Sequence, residues 1–502
     1  MTWPARIAVL LLLAATLAIP FLLAPPEARP PANALELVII SPHSESIKFE
    51  FARAFDAWHR EQFGRPVRID YRDIGGSSEI SRFLASEYKA LDAAGGAGGV
   101  GIDIIWGGGA FDFRNTYAKG GFLEPYTPED LGRELPELLG DRPGAGEALG
   151  PDPFPHLPRT PGALTKLDSS YEAYDENGLW YGACLSSFGI VYNRTLCEKL
   201  NLPEPTRWID LADPRFAAQV GLGDPTQSGS IAKCYFTIAA SYEWSEAMRI
   251  ITRMGANARY FTNSASRVPQ DVGLPDIAAG VAIDYYARSQ ASAYDDGRLV
   301  FKPAADGPAI DADPIGILRG TKRRELARRF VRFVLSEAGQ RLWAYRLGVK
   351  DKEGRLLGPA RYEIRRPPIR KDIYEDLYVE EKKDRFRDAE DIYQVAEEAA
   401  RTAHPTGFSG KYYNQFRVMV RHMIIEPHPE LVEAWRLVIA HGKDHPELVK
   451  AFDEVVVSEA ELTSAETKAA FKDPLEQVRL RNGWTRRFLD KYRGVIDLAR
   501  DL

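Results

Sequence analysis

The stretch VRIDYRDIGGSSEISRFLASEY (residues 67–88) decides the fold predicted for this chain. Its first five residues predict a β-strand, and from residue 80 to residue 88 apolar side chains recur at helical spacing. Between these elements, Gly75 and Gly76 let the backbone bend close to a ligand. Ser77 and Ser78 stand where a helix leaves its first N–H groups unpaired. Because free amides and the helix dipole both favour an anion, this turn is a candidate anion site, although helix capping alone would also explain its residues.

The pattern of strand, polar loop and helix occurs twice near the N-terminus, and a third strand with its loop follows. The run LELVII (residues 35–40) precedes one such loop, and GIDIIW (residues 101–106) precedes another. Alternating strands and helices predict an α/β unit with a mostly parallel sheet, whose ligands bind outside the carboxyl ends of the strands. Three loops should therefore meet at one edge of the sheet: His43–Ser46, Gly75–Ser78 and Gly107–Gly109.

A second α/β unit is predicted further along the chain. Leu179–Asn193 is expected to be extended, with interruptions at Ser186 and Ser187 and at Gly189. The predicted strand Val220–Gly223 is followed by Thr226–Ser230, which would begin a helix with small residues, as Gly75–Ser78 does. The short strand Val281–Ile283 would deliver Asp284, Tyr285 and Tyr286 to its carboxyl end.

One more strand and one more helix come before the sequence changes in character. Asp313–Leu318 predicts one more strand, and Arg323–Trp343 predicts a single amphipathic helix. Beyond about Asp376 the sequence is charged and helix-prone.

Charge and the N-terminus restrict the function. A formal net charge of -6 and a pI near 5.9 exclude a general nucleic-acid binder, which needs a basic surface. The apolar run Ile7–Ala24 predicts a secretory signal peptide with cleavage near Ala34. An uncleaved membrane anchor is the alternative, because the run approaches spanning length. We therefore expect a periplasmic or otherwise extracytoplasmic protein that contacts the membrane only if this anchor is kept.

The order of these motifs resembles the extracellular solute-binding proteins of ABC importers, in the branch that contains ferric-iron, phosphonate, polyamine and hexose-phosphate binders. The matching stretches are Ser41–Glu45, Asp73–Ile80, Gly101–Ala110, Trp180–Asn193, Trp208–Phe216, Gly223–Ser230, Ala282–Tyr286 and Phe330–Trp343. The resemblance implies an α/β fold of the two-lobed type II periplasmic-binding-protein kind, with a hinge and an added α-helical C-terminal extension.

The division of the chain that follows is residues 1–34 as signal peptide or anchor, 35–125 with about 287–350 as lobe 1, 126–286 as lobe 2, and 351–502 as the extension. The resemblance also implies a monomer without a cofactor that captures a small anionic solute, phosphorylated or carboxylated, and delivers it to an ABC permease of the inner membrane. The ligand-binding residues that it implies are His43, Ser44, Glu45, Gly76, Ser77, Ser78, Gly108, Ser186, Ser187, Thr226, Ser228, Gly229, Ser230, Asp284 and Tyr285.

Ferric iron is the alternative ligand, because iron-binding members use two adjacent tyrosines, a histidine and a carboxylate. The corresponding set in this chain is His43, Glu45, Tyr285 and Tyr286. Adjacent residues on a strand point to opposite faces, so both tyrosines can serve one metal only if the strand has ended before them.

Enzyme motifs are missing from the sequence. HExxH, GxSxG, GxxxxGK[ST] and paired CxxC do not occur. The chain is therefore predicted not to be an enzyme, and a hydrolase that uses Asp284 and His43 on a phosphorylated solute is the minor alternative.

Overall fold

The computed structural model of the chain describes residues 33–96, 98–139, 173–294, 296–307, 309–386, 391–396 and 408–502, together with residues 3, 16 and 157. The predicted signal peptide or anchor, residues 1–34, lies outside the described residues except at positions 3, 16, 33 and 34. Within these ranges no helix is both long enough and apolar enough to cross a membrane.

A mixed sheet forms the centre of the molecule. In the described part of the chain it has ten strands in the order β2-β1-β3-β10-β5-β8-β6-β7, with β4 beside β10 and β9 beside β5. The strands are β1 (Leu35–Ile40), β2 (Val67–Arg72), β3 (Ile104–Trp106), β4 (Leu123–Glu124), β5 (Tyr181–Asn193), β6 (Val220–Gly223), β7 (Ala258–Thr262), β8 (Ala279–Ile283), β9 (Leu299–Pro303) and β10 (Ala309–Leu318).

The sheet has two parallel halves, each built from one α/β unit. In the first half, β1 lies between β2 and β3 and is parallel to both. In the second half, β6 lies between β7 and β8, again with parallel pairing. Each half therefore directs the carboxyl ends of its strands, and the loops that follow them, to one edge.

Two long antiparallel strands join the halves. β5 pairs with β10 through residues 181–188 and with β8 and β9 through residues 188–193. The far end of β10 pairs with β3 and β4 of the first half. β5 and β10 are thus the connection about which the two halves can move.

Helices cover the sheet and form the C-terminal region. They are α1 (Glu45–Phe63), α2 (Ser77–Ala93), α3 (Ala110–Asp112, continued by a π-helix Phe113–Ala118), α4 (Pro128–Glu134), α5 (Arg194–Lys199), α6 (Gly229–Ser241), α7 (Trp244–Asn257), α8 (Arg267–Gly273), α9 (Asp284–Ala291), α10 (Arg324–Leu335), α11 (Glu337–Ala344), α12 (Asp372–Glu375), α13 (Tyr413–Ile424), α14 (His428–His441), α15 (Pro446–Asp453), α16 (Glu459–Thr463), α17 (Ala465–Ala470) and α18 (Pro474–Arg500).

An aromatic cluster fixes the helices of the first half against the sheet. The ring of Phe51 in α1 lies 4.9 Å from that of Trp106 at the end of β3 and 4.5 Å from that of Trp343 in α11. All three side chains are fully buried. Because large aromatic side chains dominate core energetics, this cluster gives the loops after β1 and β3 a rigid base.

The C-terminal region attaches to both halves at different points. Residues 360–362 are held on α1, because the buried carboxylate of Glu50 accepts all three of their backbone N–H groups at 2.6–2.8 Å. Helices α13 and α14 pack against α7 of the second half, and α18 packs across α13, α14 and α15. The extension from residue 408 onward is therefore anchored on the second half.

The predicted α/β fold with a helical C-terminal region is confirmed, and so is the parallel pairing predicted for the strands of the first unit. The whole sheet is mixed, because β5 and β10 run antiparallel to their neighbours. Two local expectations are corrected. Ser186, Ser187 and Gly189 do not interrupt β5, since the two serines pair with β10 and Gly189 pairs with β8 and β9. The helix predicted over Arg323–Trp343 is two helices, because Ser336 is extended and its Oγ caps α11 by accepting the Gly339 N–H.

The lobe boundaries also differ from the predicted division. β9, which falls within the segment 287–350, pairs with β5 on the second half. Conversely, α4 lies at the start of the segment 126–286 but contacts the first half, where its Glu134 accepts a hydrogen bond from Arg332 of α10. These positions follow from strand pairing and ion pairing between segments distant in sequence, which local patterns do not encode.

Candidate functional site

A cavity of about 470 Å³ lies where the loops of both halves meet. Of the fifteen predicted ligand-binding residues, nine line it: His43, Gly76, Ser77, Gly108, Ser186, Ser228, Gly229, Ser230 and Tyr285. The other six lie outside the lining: Ser44, Glu45, Ser78, Ser187, Thr226 and Asp284. The structure therefore brings both predicted small-residue helix starts to one cavity.

The N-termini of α2 and α6 meet in the lining of this cavity. A Cβ atom placed on Gly229, the first residue of α6, would lie 3.5 Å from the Oγ of Ser77, the first residue of α2. Ser228 caps α6 through its Oγ, which accepts the Ile231 N–H at 3.3 Å, whereas Gly76 at the α2 cap has no side chain to do so. Two helix dipoles and their free N–H groups thus converge on the same small volume.

Three glycines follow β3, and two of them, Gly108 and Gly109, line the cavity. Gly107 has φ +98°, and a Cβ there would lie 2.8 Å from the Nε2 of His43. A side chain at this position would be strained and would also displace the histidine ring. The glycine lets His43 pack against the loop after β3.

Asp284 is positioned by the protein rather than exposed to the cavity. Its Oδ2 accepts hydrogen bonds from the backbone N and the Oγ of Ser187 at 2.8 and 3.1 Å, and its Oδ1 accepts the Tyr285 N–H at 2.7 Å. The side chain is fully buried, and burial raises its pKa. Asp284 therefore ties β5 to the start of α9, which corrects the expected arrangement in which its carboxylate is open to a ligand.

Three of the remaining predicted residues outside the lining, Ser44, Glu45 and Thr226, make local hydrogen bonds. The Oγ atoms of Ser44 and Ser46 bond each other at 2.8 Å, and the exposed Glu45 accepts a hydrogen bond from the buried Lys48 of α1. Thr226 donates its Oγ1–H to Asp224 at 2.7 Å, which shapes the loop before α6.

A buried ion cluster lines the cavity, and two of its members, Asp313 and Arg366, were not predicted from the sequence. Asp313 of β10 pairs with Arg366 and accepts a hydrogen bond from the Nε2 of His43 at 2.7 Å. Its Oδ1 accepts the Gly108 N–H at 2.9 Å, and Arg366 also donates to the Oγ of Ser186. This cluster connects loops of the first half to both joining strands.

The charges within this cluster are mutually stabilised. Burial alone would raise the pKa of Asp313, but Arg366 and His43 outweigh it and lower that pKa to about 2. Burial lowers the pKa of His43 although Asp313 opposes the effect, so we assign a neutral ring that donates from Nε2. Its Nδ1 has no hydrogen-bond partner among the described residues. One sequence signal for the cluster was available. The segment DAD (residues 311–313) directly precedes the apolar run PIGIL (residues 314–318), and a carboxylate that is buried with such a run requires a partner.

A second polar group lines the cavity next to the C-terminal extension. It consists of Asp112 in α3, Asp311 in β10, and Tyr413 and Arg417 in α13. Burial raises the pKa of Asp112 to about 6, the charge of Arg417 opposes this rise, and the charge of Asp311 adds to it. Sequence patterns did not indicate these residues, because three separate elements contribute them.

Tyr285 and Tyr286 lie side by side in the cavity lining. β8 ends at Ile283, so both residues are in α9, and their ring centroids are 3.9 Å apart. Burial raises the pKa of both phenols. Glu45, the carboxylate of the predicted iron set, is not in this lining, and the described residues contain no group of three or more His, Cys, Asp or Glu side chains suited to a metal.

Comparison with known sequences gives a family match over part of the chain. Residues 158–353, less than half of the 502 residues, match the family described as bacterial extracellular solute-binding protein. This match confirms the predicted resemblance to solute-binding proteins.

Curated relatives are distant. An uncharacterized protein of Haemophilus influenzae is 23% identical over 241 residues, which are 47% of this chain and 60% of that protein. The phosphoglycerate transport regulatory protein PgtC of Salmonella typhimurium is 22% identical over 160 residues, which are 32% of this chain and 39% of PgtC. The chain thus spans less than two thirds of either relative.

Two solved structures illustrate the structural likeness. The periplasmic binding protein AfuA from Actinobacillus pleuropneumoniae, with exogenous fructose-6-phosphate bound, has a TM-score of 0.45 and 17% identity, covering 61% of this chain and 81% of AfuA. The ferric binding protein from Campylobacter jejuni has a TM-score of 0.48 and 17% identity, covering 76% of this chain and 99% of its own. Likenesses this weak support no inference about the ligand.

Proposed function

We propose that this chain captures a small anionic solute in the cavity where the N-termini of α2 and α6 meet and presents it to an ABC permease. The match of residues 158–353 to extracellular solute-binding proteins supports the transport role. The observation that supports an anionic ligand is that the two helix N-termini converge, with Ser77 Oγ only 3.5 Å from a Cβ position on Gly229. One bound anion would contact both halves and hold them closed.

The cavity wall indicates which anion fits. A phosphate or carboxylate group takes the free N–H groups of the two helix ends, and Lys233 on the second turn of α6 adds a positive charge to the same wall. Carboxylates of Glu79, Asp112 and Asp311 also line the cavity. They would accept hydrogen bonds from hydroxyl groups, so the proposed solute is a hydroxylated phosphate or carboxylate rather than a bare polyanion.

The binding cycle then follows from the sheet topology. The solute enters when the halves are apart, and movement about β5 and β10 brings Ser77 and Gly229 together around it. The protein would act as a monomer outside the cytoplasm, in keeping with a family of extracellular proteins. Asp284 and His43 are both engaged in internal hydrogen bonds, which supports binding without catalysis.

Thermal denaturation with a panel of solutes tests this function. We would use 3-phosphoglycerate, because one relative is named for phosphoglycerate transport, together with fructose 6-phosphate, inorganic phosphate and citrate, and glycerol as the neutral control. A solute at a hundredfold its Kd should add about 2.7 kcal/mol to the free energy of unfolding. No stabilisation by any anion, together with no small molecule retained in native mass spectrometry, would overturn the proposal.

Ferric iron is the second candidate for the transported ligand, and the adjacent rings of Tyr285 and Tyr286 favour it. Iron bound by tyrosinate would give a visible charge-transfer band that a chelator bleaches. Adding ferric citrate should produce this band in the wild type and not in Tyr285→Phe if iron is the ligand. A colourless protein that binds an organic anion would exclude iron.

A further inference from the structure

We propose that the C-terminal extension forms the third wall of the solute site, with Tyr413 and Arg417 of α13 in contact with the bound solute and Tyr413 also joining the two halves when they close. This inference rests on the proposed function for the solute contact, whereas the joining of the halves can be tested without any ligand. Both residues line the cavity, together with Gly410 just before α13.

The first argument is that α13 holds the loop from which α6 begins. Arg417 donates to the backbone oxygen of Thr226 at 2.6 Å, and Tyr413 donates its Oη–H to the backbone oxygen of Gly229 at 2.9 Å. One turn further, Arg421 pairs with the buried carboxylate of Asp224. Three side chains on one face of α13 thus fix both ends of the loop that carries the second helix N-terminus.

The second argument is the position of the Tyr413 ring. It lies 4.8 Å from the ring of Phe111 in the first half and 5.4 Å from that of Phe236 in the second half. Its hydrogen bond to Gly229 ties it to the second half, so the contact with Phe111 is the one that separates when the halves move apart. Tyr413 is therefore placed to stabilise the closed arrangement.

The third argument is electrostatic. Arg417 is partly exposed on the cavity wall, and its positive charge opposes the carboxylates of Asp112 and Asp311. Without Arg417 this group would consist of the two carboxylates and Tyr413, with no positive charge of its own, and would repel an anionic solute. Arg417 therefore makes this side of the cavity acceptable to an anion and can donate to it directly.

The fourth argument is that α13 is rigid enough to carry contact residues. Phe416, Met419 and Val420 on its inner face are buried against the second half. Tyr492 of α18 donates to the backbone oxygen of Met423 at 3.0 Å, which fixes the far end of the helix. A side chain on such a helix keeps its position relative to α6 as the halves move.

Binding measurements on the full-length chain test the solute contact. The variants are Tyr413→Ala and Arg417→Met, with Asn414→Ala as the matched control, because Asn414 is exposed on the same helix. Isothermal titration with 3-phosphoglycerate, fructose 6-phosphate, inorganic phosphate and citrate should show a roughly tenfold to hundredfold weaker Kd for Arg417→Met. Tyr413→Ala should also be weaker, and Asn414→Ala should match the wild type. Wild-type affinity in both site variants would overturn the solute contact.

A distance measurement without ligand tests the closure contact and separates the two proposals. Spin labels on Arg82→Cys in the first half and Arg215→Cys in the second half report the separation, since both positions are exposed on the surface. Tyr413→Ala should shift the distances to longer values, whereas Asn414→Ala should not. An unchanged distribution in Tyr413→Ala would overturn the joining role. If no anion binds the wild type, the proposed function fails while this distance result still decides the role of Tyr413.

Discussion

Replacing Ser77 by aspartate should block the solute site without unfolding the protein. Ser77 is the first residue of α2 and lines the cavity. A carboxylate in the first helical turn stabilises the helix by about 0.3–1 kcal/mol, so folding should be retained. The same carboxylate would occupy the N–H groups that the solute uses and would repel an anion. Two unit charges about 4 Å apart repel by roughly 4 kcal/mol at an effective dielectric constant of about 20.

This repulsion corresponds to about a thousandfold loss of affinity, and salt screening should leave a loss of at least about a hundredfold. Ser78→Asp is the matched control, because it puts the same charge on the same helix terminus at a residue outside the cavity lining. Isothermal titration with the best-binding anion measures both variants, and circular dichroism checks the fold. If Ser77→Asp binds like the wild type, or if Ser78→Asp is weakened equally, the helix starts are not the anion site.

Three further substitutions test the interactions around the site. Asp313→Asn should cost about 4 kcal/mol in urea unfolding, because it leaves Arg366 buried without its carboxylate. In the wild type, the stability that ionised Asp313 contributes is present above pH ~4 and is lost as the pH falls through its folded pKa of about 2. The wild type should therefore lose ~2 kcal/mol of stability over this pH range, and Asp313→Asn should not. The pKa of Asp112 is raised to about 6, so wild-type stability should fall by about 1–2 kcal/mol as the pH rises from ~4 to ~6, the size being reduced because this side chain is partly exposed. Asp112→Asn should remove this pH dependence of stability. An unchanged pH dependence in the variant would contradict the raised pKa of Asp112. Glu50→Gln should lower the free energy of unfolding by about 3 kcal/mol, because an amide NH₂ would then face the backbone donors of residues 360–362, and wild-type stability would show that this attachment is weak.

Much of the fold follows from local sequence patterns. Strands such as β1 and β6 are short apolar runs, and the helix starts at Ser77 and Gly229 are marked by small residues after a strand. What local patterns could not give was the direction and partner of β5 and β10. Their antiparallel pairing depends on residues more than a hundred positions apart, such as Ser187 opposite Ile310.

Only part of the candidate site could be predicted from the sequence, for a related reason. Residues of the helix starts were predicted because glycine allows the backbone to turn sharply and serine can cap the first turn of a helix, and both effects are local in sequence. Arg366 and Arg417 were missed, because an arginine on a charged segment resembles any solvated side chain until its buried partner is known. Asp284 was wrongly predicted to face the ligand, because a carboxylate at the end of a strand is often available to one. Its carboxylate instead accepts the backbone N–H groups of Ser187 and Tyr285.

The pairing of His43 with Asp313 has a consequence for the order of folding. The two residues are 270 positions apart, and Arg366 and Arg417 come later still. The His43–Asp313 pairing can form only after more than three fifths of the chain has been synthesised, and the Arg417 contacts only after more than four fifths, and closing such long loops is entropically costly and slow. Strand β3 also lacks its neighbour β10 until then, so the residues that line the cavity come together only late in synthesis.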